Sequence, residues 1–303
     1  MPNIAARPWK MFIPLGFVLG LAIAWSIYWF VAMGLAKQKF AEERQSLASQ
    51  GLLLQCATEG WGGFPFRFEF SCATPVMTFG DKAELRSAEL LLVALAYAPW
   101  QVTALVDGPS ELSGQEIGRR EATHQRIMAV LTYEGDGKAR FSAEIPTLSI
   151  DGIGAAERLM LHSRPSASGG TDIAVSATKF AYHQEDKQAP IMDQVEGLGT
   201  VLPDGSLKID KAEIQRGDLR LWGSGTLSLD STRRISGRID TETNDINRLL
   251  DLLGPQFQLT GQQVSNIRLM LGILGNEAKA SIIAKDGTLY VGPFAVATLT
   301  PVY

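Results

Sequence analysis

The sequence has little of what most enzymes display. It has three histidines and two cysteines in 303 residues, and no histidine has a second metal-binding residue at the spacing of a metal site. It contains no G-x-S-x-G nucleophile elbow, no P-loop and no dinucleotide-binding fingerprint. We therefore predict no catalytic residue, no metal and no cofactor, and we expect that the protein is not an enzyme. An enzyme whose site is assembled from distant residues stays open, because such a site is invisible in sequence.

Excess basic charge is also missing. The formal net charge is −4, whereas a protein that binds nucleic acid needs a basic surface to neutralise phosphates. No nucleic-acid partner is predicted. Long runs of like charge, low-complexity tracts and Pro-rich linkers are absent as well. The chain from 37 to 303 is long enough for one large domain or two modest ones.

One long stretch without charge is present, from Met11 to Ala36. As a helix it would extend roughly 39 Å at about 1.5 Å per residue, more than the ~30 Å hydrocarbon core of a bilayer. It predicts a transmembrane helix over 11–36. The alternative is a cleaved signal peptide, whose apolar region would be shorter. Bulky residues such as Trp29 argue against cleavage, but a weak small-x-small match at 32–34 keeps that alternative open.

The orientation of this helix is predicted from its flanks. Lys and Arg are nearly balanced on the two sides, so charge decides little. The preceding tail is short, and a long following domain can cross the membrane despite its charges. We expect a cytoplasmic tail at 1–10, one pass through the bacterial inner membrane and a large domain in the periplasm. A juxtamembrane helix is predicted over 37–50, ending at Gly51.

The two cysteines are Cys56 and Cys72, both just beyond the helix. In an oxidising periplasm an even pair predicts a disulfide. Closing a loop of this size stabilises by about 3 kcal/mol in the chain-entropy model. Two reduced, buried thiols are the alternative.

Beyond the helix the apolar pattern changes to a period of two, which is typical of half-buried strands. Phenylalanines alternate with other residues from Phe64 to Phe70, and leucines alternate in the stretch from Asp218 to Asp230. These alternating residues are the candidate lining of an apolar groove: Phe64, Phe66, Phe68, Phe70, Leu219, Leu221, Leu227 and Leu229. An ordinary core is the alternative, because a core face and a groove face show the same alternation.

Tight turns at regular spacing predict about fourteen strands. The fold class is mainly β: the transmembrane helix is followed by a large coiled antiparallel meander with few short helices. The sheet could form a half-barrel, a groove or two packed sheets. A first β-rich half at 51–184 and a second at 204–303 are separated by a linker-like segment at 185–203. In the second half we predict a short helix capped by Asp245 and a strand over 264–273.

Two stretches resemble a known family. The segment 61–68, which reads WGGFPFRF, and the closing segment 286–294, DGTLYVGPF, resemble an uncharacterised family of Gram-negative envelope proteins. It is number twenty-one twenty-five in the domain-of-unknown-function series. The second half, with RGDLRLWGSGTLSLD at 216–230, RRISGRID at 233–240 and a leucine-rich helix after them, also resembles the C-terminal region of AsmA-type proteins. Those proteins are anchored by one helix and build long periplasmic β-grooves. The resemblance implies an envelope protein but carries no catalytic residue.

Three functions follow from these observations. The first is lipid binding, lipid transport or envelope homeostasis, with the bilayer as partner and phospholipid as ligand, since burial of each methylene contributes about 0.8 kcal/mol. The second is a scaffolding protein of the cell envelope without a ligand. The third is an enzyme with an unrecognised site.

Overall fold

The structure, a computed structural model, describes residues 12–80, 82–115, 118–182, 190–254, 260–272, 278–292 and 294–301. The predicted tail at 1–10 lies outside them. The described residues form three helices and 18 strands. The helices are α1 (Ile13–Ser49), α2 (Ile246–Leu253) and α3 (Gly261–Gly272). The strands are β1 (Leu52–Gln55), β2 (Thr58–Gly62), β3 (Arg67–Ala73), β4 (Val76–Phe79), β5 (Ala83–Leu95), β6 (Ala98–Gly114), β7 (Gly118–Thr123), β8 (Ile127–Gly135), β9 (Lys138–Ile150), β10 (Gly154–Pro165), β11 (Thr171–Tyr182), β12 (Met192–Val201), β13 (Leu207–Arg216), β14 (Leu219–Leu229), β15 (Ile235–Thr243), β16 (Ala278–Lys285), β17 (Thr288–Val291) and β18 (Phe294–Thr298).

Helix α1 joins the predicted transmembrane and juxtamembrane helices into one element of 37 residues. Pro14 lies in its first turn, where a missing N–H is tolerated. The helix ends before Gly51, which has a φ of +85° that an L side chain rarely adopts. It is long and apolar enough to cross a membrane, as a membrane anchor or a signal sequence is.

The strands form one antiparallel meander, as predicted. The long strand β5 pairs with β4 along its first half and with β3 along its second half. Strand β6 follows β5 and pairs with both β7 and β8. From β8 to β18 each strand pairs with the next one in the chain. The described residues form more strands than the fourteen predicted, because several of the 18 observed strands are too short to show a clear alternation.

The prediction of a linker-like segment at 185–203 is wrong for Met192–Val201, because these residues form strand β12. Residues 185–189 lie outside the described residues. Strand β12 is hydrogen-bonded to β11 on one side and to β13 on the other, so the sheet continues through it. Gly197 and Gly199 occupy apolar positions of this strand, and they hide the alternation that would have identified it.

The short helix after Asp245 is confirmed, since the Asp245 carboxylate accepts hydrogen bonds from the N–H groups of Asn247 and Arg248. The strand predicted at 264–273 is wrong, because Gly261–Gly272 is helical. A capping interaction starts that helix: the Gln263 side chain accepts from the Thr260 N–H at 2.8 Å. A short apolar run does not distinguish a strand from a helix.

Buried residues are few and lie mostly where helices meet the sheet. Trp29 and Met33 of α1 pack with Phe68 and Ala96. A second cluster joins Phe70 to Cys72 and Leu90, and a third joins α2 to α3 through Ile246, Leu250 and Ile267. In the described part of the chain, the helices therefore pack against the two end regions of the sheet.

The predicted disulfide joins Cys56 to Cys72, with the Cα atoms 5.3 Å apart. It ties the connection between β1 and β2 to the end of β3, in the cluster that also contacts Phe40 of α1. Replacing both cysteines by alanine should lower the free energy of unfolding by about 3 kcal/mol, because the unfolded chain loses a cross-link. Denaturant unfolding of the full chain, with and without reductant, measures this. If the variant unfolds at the wild-type midpoint, the disulfide has no stabilising role.

Candidate functional site

One face of the sheet is apolar from the first strands to the last. Residues that lie directly opposite each other on neighbouring strands share a face. One such row runs through Phe68, Ala94, Val102, Leu131, Phe141, Ser163, Ile173, Gly199, Ile209, Gly225, Ile239 and Ile282. The next runs through Phe70, Leu92, Ala104, Ala129, Ala143, Leu161, Val175, Gly197, Ala212, Gly223, Thr241 and Ala280. We call this surface the apolar face.

The middle of the apolar face is uncovered. Among the described residues, the buried clusters that involve α1, α2 and α3 contain no side chain of β8 to β13. Leu161 and Val175 are 39% and 38% exposed, although a residue at the centre of a covered sheet would be buried. Six strands at about 4.8 Å spacing give an uncovered span of about 24 Å. This exceeds the depth of one bilayer leaflet, about 15 Å of hydrocarbon.

Two glycines on the apolar face allow a close approach of the neighbouring strand. A Cβ on Gly225 would lie 2.0 Å from the Arg238 carbonyl oxygen of the neighbouring strand, and one on Gly199 would lie 2.5 Å from the Lys208 oxygen. The neighbouring backbone therefore lies too close for a larger side chain at both positions. Only glycine allows such an approach.

The opposite face is polar. One row across it runs through Arg164, Asp172, Thr200, Lys208, Thr226 and Arg238. Cross-strand ion pairs lie on this face, such as Lys211 with Glu196 at 3.0 Å. Hydrogen bonds to Glu213 and Glu196 raise the pKa of Lys211. We call this surface the polar face. The sheet is therefore amphipathic, with one face suited to water and the other to a nonpolar partner.

The leucines predicted to line a groove lie on the apolar face of β14, but they differ in exposure. Leu219 is 5% exposed near the end of the strand, in the region where α2 packs. Leu221 and Leu227 are half-buried, and Leu229 is 42% exposed. Leu221, Leu227 and Leu229 therefore keep exposed surface on the apolar face, and Leu219 is part of the core.

The four phenylalanines do not form one strand, because β3 begins only at Arg67. Gly63 has a φ of +100°, and a Cβ there would meet the Arg67 carbonyl oxygen at 2.4 Å, so the chain turns before the strand. Phe68 and Phe70 are buried under α1 and cannot line an open groove. Phe64 and Phe66 are 53% and 63% exposed in the turn.

Aromatic rings join this turn and β3 to helix α1. The Trp29 ring centroid lies 5.8 Å from that of Phe68 and 5.3 Å from that of Phe64, and Phe40 lies 4.5 Å from Phe70. Three side chains of α1 donate hydrogen bonds to backbone carbonyls of the sheet: Trp25 to Pro65 at 2.8 Å, Tyr28 to Ala96 at 2.7 Å and Trp29 to Arg67 at 3.0 Å. The helix is therefore part of the fold.

Sequence reasoning missed one polar cluster, which the fold assembles from three segments. Ser110 Oγ lies 2.7 Å from Ser87 Oγ and 2.8 Å from His124 Nε2. His124 Nδ1 lies 2.8 Å from the Gln125 carbonyl oxygen, which can only accept, so Nδ1 carries the proton and Nε2 accepts from Ser110. Both serines are nearly buried. The chain of hydrogen bonds satisfies these groups beside an irregularity in the β5–β6 pairing.

Replacing Ser110 by alanine should lower the free energy of unfolding by about 1–3 kcal/mol, because Ser87 and His124 each lose a partner. Ser224→Ala, on an exposed position of β14, is the control and should change stability little. Denaturant unfolding of the full chain compares the two. Equal stability of the two variants would contradict a structural role for this cluster.

The described residues contain no group of three or more His, Cys, Asp or Glu side chains that could hold a metal ion. The site that remains is a surface: the uncovered apolar face of a single curved sheet with an apolar helix docked at one end. This defines a β-sheet protein with one apolar helix and one open nonpolar face.

A family model described as an uncharacterized protein conserved in bacteria (DUF2125) matches residues 29–300. The chain belongs to this family, as the two motif segments predicted. The matched range begins at Trp29, inside α1, so the second half of the helix belongs to the family region. No curated protein and no solved structure matches the chain. The resemblance of the second half to AsmA-type proteins is therefore not shown.

Proposed function

We propose that the protein is a non-enzymatic, membrane-anchored lipid-binding protein of the bacterial cell envelope. In this proposal α1 crosses the inner membrane, and the sheet lies in the periplasm and holds phospholipid acyl chains against its apolar face. The observation that carries the proposal is the uncovered middle of the apolar face, where Leu161 and Val175 are more than a third exposed. Large exposed apolar surfaces on a protein mark binding sites for nonpolar partners.

An acyl chain suits this surface for a simple physical reason. The surface offers aliphatic side chains and small residues and few polar groups, so it provides area without directional contacts. Each methylene moved from water to such a surface gains about 0.8 kcal/mol. A chain of several methylenes would therefore bind without any special residue, and its charged head group would remain in water.

Two observations support the anchor and the compartment. Trp25, Tyr28 and Trp29 hydrogen-bond to the sheet backbone, and cleavage of α1 as a signal peptide would remove these contacts. The disulfide between Cys56 and Cys72 fits an oxidising compartment such as the periplasm. With the sheet in the periplasm, the apolar face begins beside the membrane and leads away from it.

The experiment that tests the proposal is native mass spectrometry of the full chain, extracted from bacterial membranes and exchanged into fresh detergent. The full chain is needed because a truncation at Lys37 would remove Trp29 and Met33 from the core. We expect phospholipid to remain bound in a defined ratio after the exchange. A lipid-free, stably folded chain would contradict lipid binding and favour a scaffolding protein.

A further inference from the structure

Two loops contact the same turn of helix α1: the turn that precedes β3 and the connection between β5 and β6. We call these two loops the aromatic tip: Phe64, Pro65 and Phe66 in one, Ala96 and Tyr97 in the other. We infer that the aromatic tip is inserted in the hydrocarbon of the periplasm-facing leaflet, so that the apolar face opens directly into the bilayer. This inference rests on the proposed membrane anchor.

The depth of the tip follows from the length of the apolar run. A helix needs about 20 residues to cross a hydrocarbon core of about 30 Å, and the uncharged run covers 11–36. A span placed as early as possible within α1 covers 13–32, and one placed as late as possible in the uncharged run covers 17–36. Trp25 lies inside both, roughly 10 to 16 Å from the periplasmic boundary at about 1.5 Å per residue. Because Trp25 donates to the Pro65 oxygen at 2.8 Å, the loop lies at that depth.

The hydrogen bonds of the tip fit a site without water. Irregular backbone is tolerated at membrane depth only where its polar groups have partners within the protein. Trp25 and Tyr28 satisfy the Pro65 and Ala96 carbonyls, one in each loop. Trp29 satisfies the Arg67 carbonyl at the start of β3. Three side chains of one apolar helix thus supply donors to three carbonyls of the adjacent sheet.

The exposed side chains of the tip are large and apolar. Phe64, Phe66 and Tyr97 are 53%, 63% and 63% exposed, and Trp100 at the start of β6 is 54% exposed. Phenylalanine is favourable in the hydrocarbon of a bilayer, whereas Tyr and Trp favour its interfaces. Arg67, which follows the loop in the chain, is paired with Glu69 at 2.7 Å. Its long side chain can reach the head groups from the edge of the hydrocarbon.

An exposed aromatic at the opposite end of the strands provides a matched control. Phe79, at the end of β4, is 40% exposed. It lies beside the end of α1, since the Gly80 N–H donates to the Gly51 oxygen. The helix from Trp25 to Ser49 is about 36 Å long at about 1.5 Å per residue. Phe79 should therefore stand in water, well above the membrane.

Spin labels on the full chain in phospholipid vesicles test the inference. The variants are F66C and Y97C for the tip, F79C for the far end and L21C for the exposed surface of α1, each with the native disulfide intact. Collision with oxygen, which concentrates in hydrocarbon, is compared with collision with a water-soluble nickel chelate. We expect labels at 66 and 97 to lose most of their accessibility to nickel, as at 21, while the label at 79 keeps it.

Two other outcomes would overturn the inference in distinguishable ways. If labels at both 66 and 97 are as accessible to nickel as the label at 79 while the label at 21 is protected, the anchor stands and tip insertion is wrong. If the label at 21 is also accessible, α1 does not span the membrane and the anchor proposal fails with it. Two tip positions are used so that one misfolded variant does not decide the result.

Discussion

Val175→Asp is expected to reduce the phospholipid bound to the full chain at least tenfold. Val175 lies at the centre of the apolar face, 38% exposed and opposite Leu161. An acyl chain bound over a carboxylate at this position would strip water from the charge, and an acyl chain that avoided the carboxylate would lose contact area. Either effect weakens binding of the phospholipid. A tenfold loss corresponds to 1.4 kcal/mol, less than the gain from two methylenes. Native mass spectrometry after detergent exchange measures the bound fraction.

Leu198→Asp is the matched control for this prediction. Leu198 lies on the adjacent strand, is exposed to a similar extent at 45%, and stands on the polar face opposite Lys211. We expect this variant to keep its phospholipid. Lipid held only around α1 would be equally retained by both variants, and that result would contradict binding at the apolar face.

The second large effect is expected for Trp29→Ala, which should lower the free energy of unfolding by about 3–5 kcal/mol. Trp29 is 5% exposed, packs against Phe68 and donates to the Arg67 carbonyl. Its loss leaves a cavity between helix and sheet and an unpaired carbonyl. For a domain of this size each kcal/mol shifts the melting temperature by about 2–4 °C. Thermal melting of the sheet, followed by circular dichroism of the full chain, measures the shift.

Two further variants separate the causes of that effect. Trp29→Phe keeps an aromatic ring but loses the hydrogen bond to the Arg67 carbonyl. Loss of the bond should lower the free energy of unfolding by about 1 kcal/mol, and the smaller ring should lower it further through lost packing. Val31→Ala, on the exposed side of the same helix at 60% exposure, should change stability little. If Trp29→Ala melts at the wild-type temperature, α1 is not a structural part of the domain.

The features that the sequence predicted well are those that local physics determines. The uncharged run predicted helix α1, and Asp245 predicted the start of α2. Alternation between turn residues predicted the antiparallel meander. The family was predicted from two motif segments. Each of these depends on residues close together in the chain.

The features it predicted poorly depend on contacts between distant segments. Alternation at Phe68 and Leu227 is the same for a covered and an open face, so the sequence could not show that α1 buries the first and leaves the second half-exposed. The cluster of Ser87, Ser110 and His124 comes from two strands and a loop that only the sheet register brings together. The helix at 261–272 and strand β12 were missed because short or glycine-containing runs give a weak periodic signal.

The most direct test of the central claim is photo-crosslinking in living bacteria. A benzophenone amino acid at Leu161 places the reactive group on the apolar face, and one at Leu198 places it on the polar face of the same region. Lipid binding predicts a covalent phospholipid adduct from position 161 and none from position 198. Equal adducts at both positions, or none at position 161 in a folded chain, would contradict the claim that the apolar face holds lipid.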